Sequence, residues 1–130
     1  MARKITLVFT FYGYKKCSTC VKAVRWLEAR GIPFVEKAIR ETPPNLPELK
    51  AALQASGNNL RKILNTSGID YRELKMKDSM TSMTTGEVLT MISQNGNLAK
   101  RPLLIGKGIA LVGFVPSQWE QAFKSVNVLD

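Results

Sequence analysis

A Cys-x-x-Cys pair at the junction between an apolar strand and a helix most constrains how this chain folds. Cys17 and Cys20 are the only cysteines in the sequence. The residues from Ile5 to Tyr12 are β-branched or aromatic at most positions, which predicts a strand buried on both faces. The residues from Val21 to Arg30 have apolar side chains at helical spacing. The pair is therefore expected in a tight turn that ends a strand and begins a helix, with Gly13 permitting the sharp turn.

The predicted position of the pair favours thiolate chemistry. We expect Cys17 at the helix N-cap and Cys20 about one turn inside the helix. Unpaired backbone N–H groups and the positive end of the helix dipole stabilise a thiolate there, so the pKa of Cys17 should be lowered. Lys15 and Lys16 add positive charge and are candidates for substrate binding. Cys17 would attack a substrate sulfur, and Cys20 would then resolve the mixed disulfide.

The residues alone leave three interpretations of the pair open. A redox dithiol is the one we favour, because Cys-x-x-Cys beside a βα unit is typical of it. A zinc site is the second, but structural zinc takes four nitrogen or sulfur ligands. With two cysteines and no histidine, the site would have to be shared between chains. The third is a pair of inert thiols. No feature of the sequence requires a bound cofactor or metal.

Length and composition predict one domain that spans residues 1–130. The chain is 45% apolar, and no apolar run approaches the roughly 20 residues needed to span a membrane. The apolar run near the N-terminus lacks a following small-residue cleavage site, so we interpret it as a strand rather than a signal peptide. We expect a cytoplasmic monomer that does not bind a membrane. In that compartment a cysteine pair is more often catalytic or sensing than structural.

Positive charge is concentrated in the part of the chain that holds the cysteines. The net charge is +9, and residues 1–40 carry nine basic and two acidic side chains, or +7 of it. Such a field attracts acidic partners or anionic substrates and favours a thiolate, although a solvated basic face would also explain it. We do not expect direct binding of nucleic acid, since no basic run is interleaved with aromatic residues.

The rest of the chain predicts an α/β protein with a thioredoxin-like fold. A strand at Phe34–Ile39 completes a β-α-β unit, and a Gly-Lys-Gly turn at 106–108 predicts a hairpin. Residues 42–98 read as a helical insertion between these two halves, and Thr84 and Glu87 form a predicted capping box. The remaining helices are predicted at Pro47–Ala55, Leu60–Leu64, Tyr71–Met76, Thr84–Gln94 and Pro116–Ser125.

Four motifs carry a resemblance to a known family. They are Tyr12 with Cys17-Ser-Thr-Cys20, the Lys-Ile-Leu-Asn-Thr-Ser-Gly segment at 62–68, Tyr-Arg-Glu-Leu at 71–74, and Lys-Arg-Pro-Leu at 100–103. Over nearly its whole length the chain resembles the Spx/ArsC family, which comprises thioredoxin-fold proteins related to arsenate reductases.

The resemblance implies roles for particular residues. Cys17 matches the family's redox cysteine. Pro102 matches a proline expected to be cis and to face the cysteine turn. Arg101 matches an arginine that binds the oxyanion beside the thiolate in arsenate reductases. The implied partners are a disulfide substrate and a thiol reductant such as glutathione, glutaredoxin or thioredoxin.

Two departures from the arsenate-reductase pattern favour a general dithiol function. Glutaredoxin-linked members bring three arginines to the cysteine. Here Asn65, a candidate substrate-binding residue, stands where the first is expected, and the third falls near Gly113–Phe114. Cys20 also supplies a resolving thiol within the same chain, whereas those enzymes use the thiol of a second molecule.

A regulatory function is the alternative. The resemblance also covers Spx, a transcription regulator that contacts RNA polymerase and carries a Cys-x-x-Cys switch. Gly57 lies near a glycine that the regulator uses for this contact, although a glycine that ends a helix explains it equally. The segment Ser125–Asp130 has none of the basic character expected of the regulator's tail.

Overall fold

A computed structural model describes residues 8–125, and its described part contains one four-stranded sheet and seven α-helices. The strands are β1 (Phe9–Gly13), β2 (Phe34–Ala38), β3 (Leu103–Gly106) and β4 (Ile109–Val112). The helices are α1 (Ser18–Ala29), α2 (Leu46–Ala55), α3 (Leu60–Ile63), α4 (Ile69–Glu73), α5 (Met76–Ser79), α6 (Thr85–Gln94) and α7 (Pro116–Ser125). Short 3-10 helices span Met80–Ser82 and Gly96–Leu98.

The strand order matches the thioredoxin-like fold predicted from the sequence. Across the sheet the order is β2-β1-β3-β4. β1 and β2 are parallel and joined by α1, whereas β3 pairs antiparallel with both β1 and β4. The central position of β1 explains why its sequence is apolar on nearly every residue.

The first strand differs from its predicted bounds at both ends. β1 extends to Gly13 and does not include Val8, while residues 5–7 of the predicted strand lie outside the described residues. Gly13 was expected to permit a sharp turn, but its φ is not positive, so its backbone does not need the conformational freedom of glycine. A Cβ at this position would collide with the ring of Phe11. The glycine therefore provides space against the core rather than a special turn conformation.

The end of α1 is the predicted glycine stop. Gly31 has φ 65°, its N–H bonds the carbonyl of Glu28, and Ile32 N–H bonds that of Leu27. This is a Schellman motif, which satisfies the last free carbonyls of the helix. The helix buries Cys20 along with its apolar stripe, whereas Val21 is 38% exposed.

Each face of the sheet has its own core. On the α1 and α7 side the core is aromatic, and Trp119 stacks edge-on against Trp26 and Phe114 with centroid distances of 5.7 and 4.9 Å. The indole N–H of Trp119 donates to the carbonyl of Gly113, so this buried polar group has a partner. On the other face, helices α2 and α6 contribute aliphatic side chains.

A partly buried hydrogen bond joins β1 to α2. The Tyr12 hydroxyl donates to Glu48 Oε1 at 2.7 Å. Burial and this bond raise the pKa of Tyr12 well above its ordinary value. The same carboxylate caps α2 by accepting from the backbone N–H of Asn45.

The helical segment between β2 and β3 is largely as predicted. The capping box of Thr84 and Glu87 is present at α6 and is confirmed. The single helix predicted over Tyr71–Met76 is wrong, because Lys75 adopts a left-handed conformation with φ 50° and separates α4 from α5. An isolated antiparallel bridge also joins Leu64 to Ala99, in a region where no extended pairing was predicted.

Candidate functional site

The cysteine turn has the geometry that the sequence predicted. Tyr14, Lys15 and Lys16 form the turn after β1, and Cys17 N–H closes it by bonding the Tyr14 carbonyl at 3.0 Å. Cys17 is the N-cap of α1, with φ −90° and ψ 112°. Its Sγ accepts the backbone N–H of Cys20 at 3.2 Å, as the hydroxyl of a capping serine does elsewhere. A thiolate at Cys17 would accept the same bond more strongly.

The two thiols are close together but differ in accessibility. Both are free, Cys17 is half-buried, and Cys20 is only 2% exposed. Burial raises the pKa of Cys20 to about 12, reinforced by its hydrogen bond to Cys17, while a backbone hydrogen bond from Tyr14 acts in the opposite direction. Cys17 is therefore the more accessible thiol, and Cys20 lies buried next to it.

This asymmetry predicts selective alkylation. We expect iodoacetamide at neutral pH to label the reduced protein once, at Cys17, because Cys20 is buried and its pKa is about 12. Since a raised pKa keeps Cys20 protonated, its labelling should quicken as the pH rises toward that value. Peptide mass spectrometry measures the sites, and labelling in denaturant, which should modify both cysteines, is the control. Equal labelling rates in the folded protein would contradict the prediction.

The Arg101–Pro102 segment lies at the same end of the sheet as the cysteine turn. The peptide bond between the two is cis, as the family resemblance predicted. Leu103 is the register partner of Tyr12, so Pro102 falls beside the end of β1. The Arg101 guanidinium carbon lies 5.2 Å from the centroid of the Tyr14 ring, and its positive charge favours a thiolate at Cys20.

Asn65 shares an open pocket with Arg101. The pocket has a volume of about 520 Å³. The Leu64–Ala99 bridge brings the segment of Asn65 next to the segment that leads into Arg101. Asn65 N–H donates to the Leu98 carbonyl at 2.8 Å in the same contact. On the same wall, Asp70 Oδ2 accepts hydrogen bonds from the side-chain amides of Asn95 and Asn97. We call this pocket the arginine pocket.

Lys15 and Lys16 line a different pocket. Their cavity of about 550 Å³ lies along β2, with Lys37 and Glu41 on its other walls. Tyr14 lines both cavities. The sequence-predicted binding residues are therefore divided between two pockets that share Tyr14.

Sequence reasoning missed Tyr14 and Arg40 as site residues. Arg40 follows β2, its guanidinium carbon lies 5.1 Å from the Tyr14 ring centroid, and it lines the arginine pocket. From the sequence, Arg101 was the only arginine expected here. A signal was present, because the carboxyl ends of the parallel strands β1 and β2 meet at one edge of the sheet, where ligands commonly bind.

No charged group occupies the position of the family's third arginine. Gly113 is buried with φ 72°, and its N–H bonds the Pro102 carbonyl at 2.8 Å. Phe114 packs on Trp26 and Trp119. The loop after β4 thus supports the Arg101–Pro102 segment by backbone bonding and aromatic packing.

Within residues 8–125, no three Cys, Asp or Glu side chains lie close enough to hold a metal ion together.

In the same part of the chain, every helix is too short or too polar to cross a membrane.

Comparison with known proteins gives consistent similarities over most of the chain. The ArsC family model matches residues 12–122. The Bacillus subtilis protein YusI is 45% identical over 112 residues, 86% of this chain and 95% of YusI. The global transcriptional regulator Spx of Enterococcus faecalis is 31% identical over 107 residues, 82% of this chain and 80% of Spx. The crystal structure of a putative ArsC family related protein from Bacteroides fragilis superposes with a TM-score of 0.79 at 39% identity, covering 88% of this chain and 96% of that one.

Proposed function

The chain belongs to the ArsC family, which includes Spx regulators and arsenate-reductase-like proteins, and from this we propose that it is a thiol–disulfide oxidoreductase. Cys17 is the attacking sulfur and Cys20 the resolving sulfur. The observation that carries the proposal is their arrangement: a half-buried N-cap thiol that accepts the N–H of a buried second cysteine one turn inside the helix.

The proposed reaction is two successive exchanges. The Cys17 thiolate attacks one sulfur of a substrate disulfide, and the other sulfur leaves as a thiolate that takes a proton from water. Cys20 then loses its proton and attacks Cys17 Sγ, so the remaining substrate sulfur leaves and is protonated in turn. The substrate disulfide has gained two electrons and two protons, and the protein holds a Cys17–Cys20 disulfide. An external thiol such as glutathione, or a dithiol protein such as thioredoxin, returns the pair to its reduced form.

The raised pKa of Cys20 supports this order of events. After burial, the hydrogen bond to Cys17 and the charge of that residue are two of the causes that raise it. Once Cys17 is bound in a mixed disulfide it carries no negative charge, so the electrostatic cause is removed and the sulfur becomes a weaker hydrogen-bond acceptor. Cys20 then becomes easier to deprotonate when its attack is required.

Turnover in a disulfide-reduction assay tests the proposal. Replacing Cys17 by serine is expected to lower turnover of 2-hydroxyethyl disulfide by about a thousandfold or more, because the attacking sulfur is lost. Circular dichroism would verify that the variant is folded. If Cys17→Ser turned over substrate at the wild-type rate, the proposed function would be wrong.

Arg101, Pro102, Asn65, Lys15 and Lys16 are the proposed substrate-facing residues. Arg101 favours the thiolate form of Cys20 by its charge, and Pro102 shapes the surface on which a substrate docks. Lys15 and Lys16 line one of the two pockets that share Tyr14, and Asn65 and Arg101 line the other, which supports their assignment.

A redox-switched regulator that contacts RNA polymerase is the second candidate, and the similarity to Spx favours it. The same cysteine pair would then act as the switch. A pull-down of polymerase with the reduced and with the oxidised protein separates the two functions. Absence of binding in both states would exclude this candidate.

Arsenate reduction with glutathione and glutaredoxin is a third alternative. Asn65 and the Gly113–Phe114 loop stand where two of the three arginines of such enzymes are expected, so we rank it below the dithiol function. Arsenate turnover with those two reductants distinguishes it.

The proposal also takes residues 1–130 as one domain in the cytoplasm, with 42–98 as an insertion in the thioredoxin-like fold. A catalytic dithiol fits the cytoplasm, where cysteine pairs are usually transient catalytic or sensing groups and thiol reductants are abundant. The helices between β2 and β3 pack onto the sheet, which supports a single unit.

A further inference from the structure

We propose that Arg40 makes the arginine pocket a binding site for a carboxylate or similar anionic group on the substrate. This inference rests on the proposed dithiol function and adds a substrate class to it: disulfides that carry a negative charge near the reacting sulfur. Neither the sequence motifs nor the family's oxyanion site includes Arg40.

The first argument is the convergence of two guanidinium groups on one aromatic ring. The guanidinium carbons of Arg40 and Arg101 lie 5.1 and 5.2 Å from the Tyr14 ring centroid. Measured through that shared point, they are at most about 10 Å apart. Contact with an aromatic ring orients a guanidinium without using its N–H donors, which remain available for a ligand.

The second argument is that both guanidinium groups lack a partner. Within the described part of the chain, Arg30 is the arginine whose side chain forms an ion pair and donates hydrogen bonds. Arg40 and Arg101 do neither. Two positive groups at one pocket repel each other, and an anion between them would relieve that repulsion.

The third argument is the polarity of the remaining walls. Asp70 is the one carboxylate among the lining residues, and its Oδ2 is held by the amides of Asn95 and Asn97 at 2.9 and 3.3 Å. The lining therefore has two positive groups against one negative group that is already hydrogen-bonded. Asn65 and Ser67 supply further polar atoms for an anionic group.

The pocket is also placed to act on the cysteine chemistry. The ring of Tyr14 contacts the guanidinium groups of both Arg40 and Arg101, and the Tyr14 carbonyl accepts the backbone N–H of Cys17. An anionic group held in the pocket would therefore contact the residue whose carbonyl bonds the backbone of Cys17. Binding there positions a substrate before exchange, so its loss should raise KM more than it lowers kcat.

The test compares three disulfides of equal reaction type and different charge. They are 3,3′-dithiodipropionate, which is anionic, 2-hydroxyethyl disulfide, which is neutral, and cystamine, which is cationic. We expect wild type to prefer the anionic substrate, and Arg40→Ala to lower the anionic-to-neutral ratio of kcat/KM by about tenfold. Arg40→Lys should retain part of the preference. Arg61→Ala, which removes an exposed arginine outside the pocket, is the matched control and should leave the ratio unchanged.

A direct binding measurement separates this inference from the proposed function. The Cys17→Ser protein would be titrated with propionate and with propionamide at constant ionic strength, and followed by NMR at Tyr14, Arg40 and Arg101. We expect saturable shifts with propionate only, and a several-fold higher Kd after Arg40→Ala. If the pocket binds propionate in this way but Cys17-dependent turnover is absent, the pocket stands and the dithiol function is wrong. If turnover is present but Arg40→Ala changes neither propionate binding nor the substrate ratio, the inference is overturned and the function stands.

Discussion

Replacing Cys20 by serine is expected to stop the reaction after one exchange and to leave the protein joined to its substrate through Cys17. In the proposed mechanism Cys20 attacks Cys17 Sγ, and its hydroxyl replacement is a far weaker nucleophile. The accumulated species should account for most of the protein when the substrate is in excess. Intact-mass spectrometry would show the added substrate half, and a reducing agent should remove it.

Two comparisons make the trapping experiment decisive. The double variant Cys17→Ser, Cys20→Ser should form no adduct, because the attacking sulfur is absent. Wild type should form an internal disulfide instead, with no added mass beyond the loss of two hydrogens. An adduct on wild type as stable as that on Cys20→Ser would show that Cys20 does not resolve, and the dithiol mechanism would have to be abandoned.

Replacing Gly96 by alanine is expected to have the largest effect on stability. A Cβ at Gly96 would overlap the carbonyl oxygen of Ile39 and crowd the backbone of Arg40. Backbone atoms cannot move aside as a flexible side chain can, so we expect a loss of about 3 kcal/mol in the free energy of unfolding. Denaturant unfolding measures it, and the corresponding fall in Tm should be about 10 °C.

Gly86 provides the matched control for this substitution. It lies in α6 and a Cβ there meets no atom within 4 Å. Gly86→Ala should therefore stabilise the protein by about 0.5–1 kcal/mol through the helix preference of alanine. If Gly96→Ala were as stable as wild type, the close approach of the two segments would be wrong. The approach of Gly96 to Ile39 and Arg40 also holds Arg40 near the arginine pocket. A structure without that approach would remove the basis of the proposed preference for anionic disulfides.

Local signals predicted the elements that hold the cysteines. Capping by Thr84 and Glu87, the glycine stop of α1 and the hairpin before α7 depend on residues adjacent in sequence, and all three are present. The N-cap position of Cys17 belongs to the same class, because it follows from where an apolar strand ends and a helical pattern begins.

Errors arose where composition and turn rules were not sufficient. Tyr71–Met76 has helical composition, but Lys75 turns left-handed and divides it into α4 and α5. The role of Gly13 depends on the Phe11 ring beneath it, which no turn rule describes. Arg40 appeared in the sequence only as one of many basic residues, since nothing local links it to Tyr14 or Arg101.

The amino-acid sequence by itself determined that a cysteine pair begins a helix after a buried strand, since helix caps and strand patterns act over a few neighbouring residues. Tertiary structure alone decided which distant groups surround that pair. Packing of β3 against β1 brings Arg101 to the turn, and the close approach at Gly96 brings the segment of Arg40 to the same pocket. The physical reason is that the positions of Arg40 and Arg101 depend on how the backbone packs across the sheet. The residues next to each arginine in the sequence give no signal of that packing.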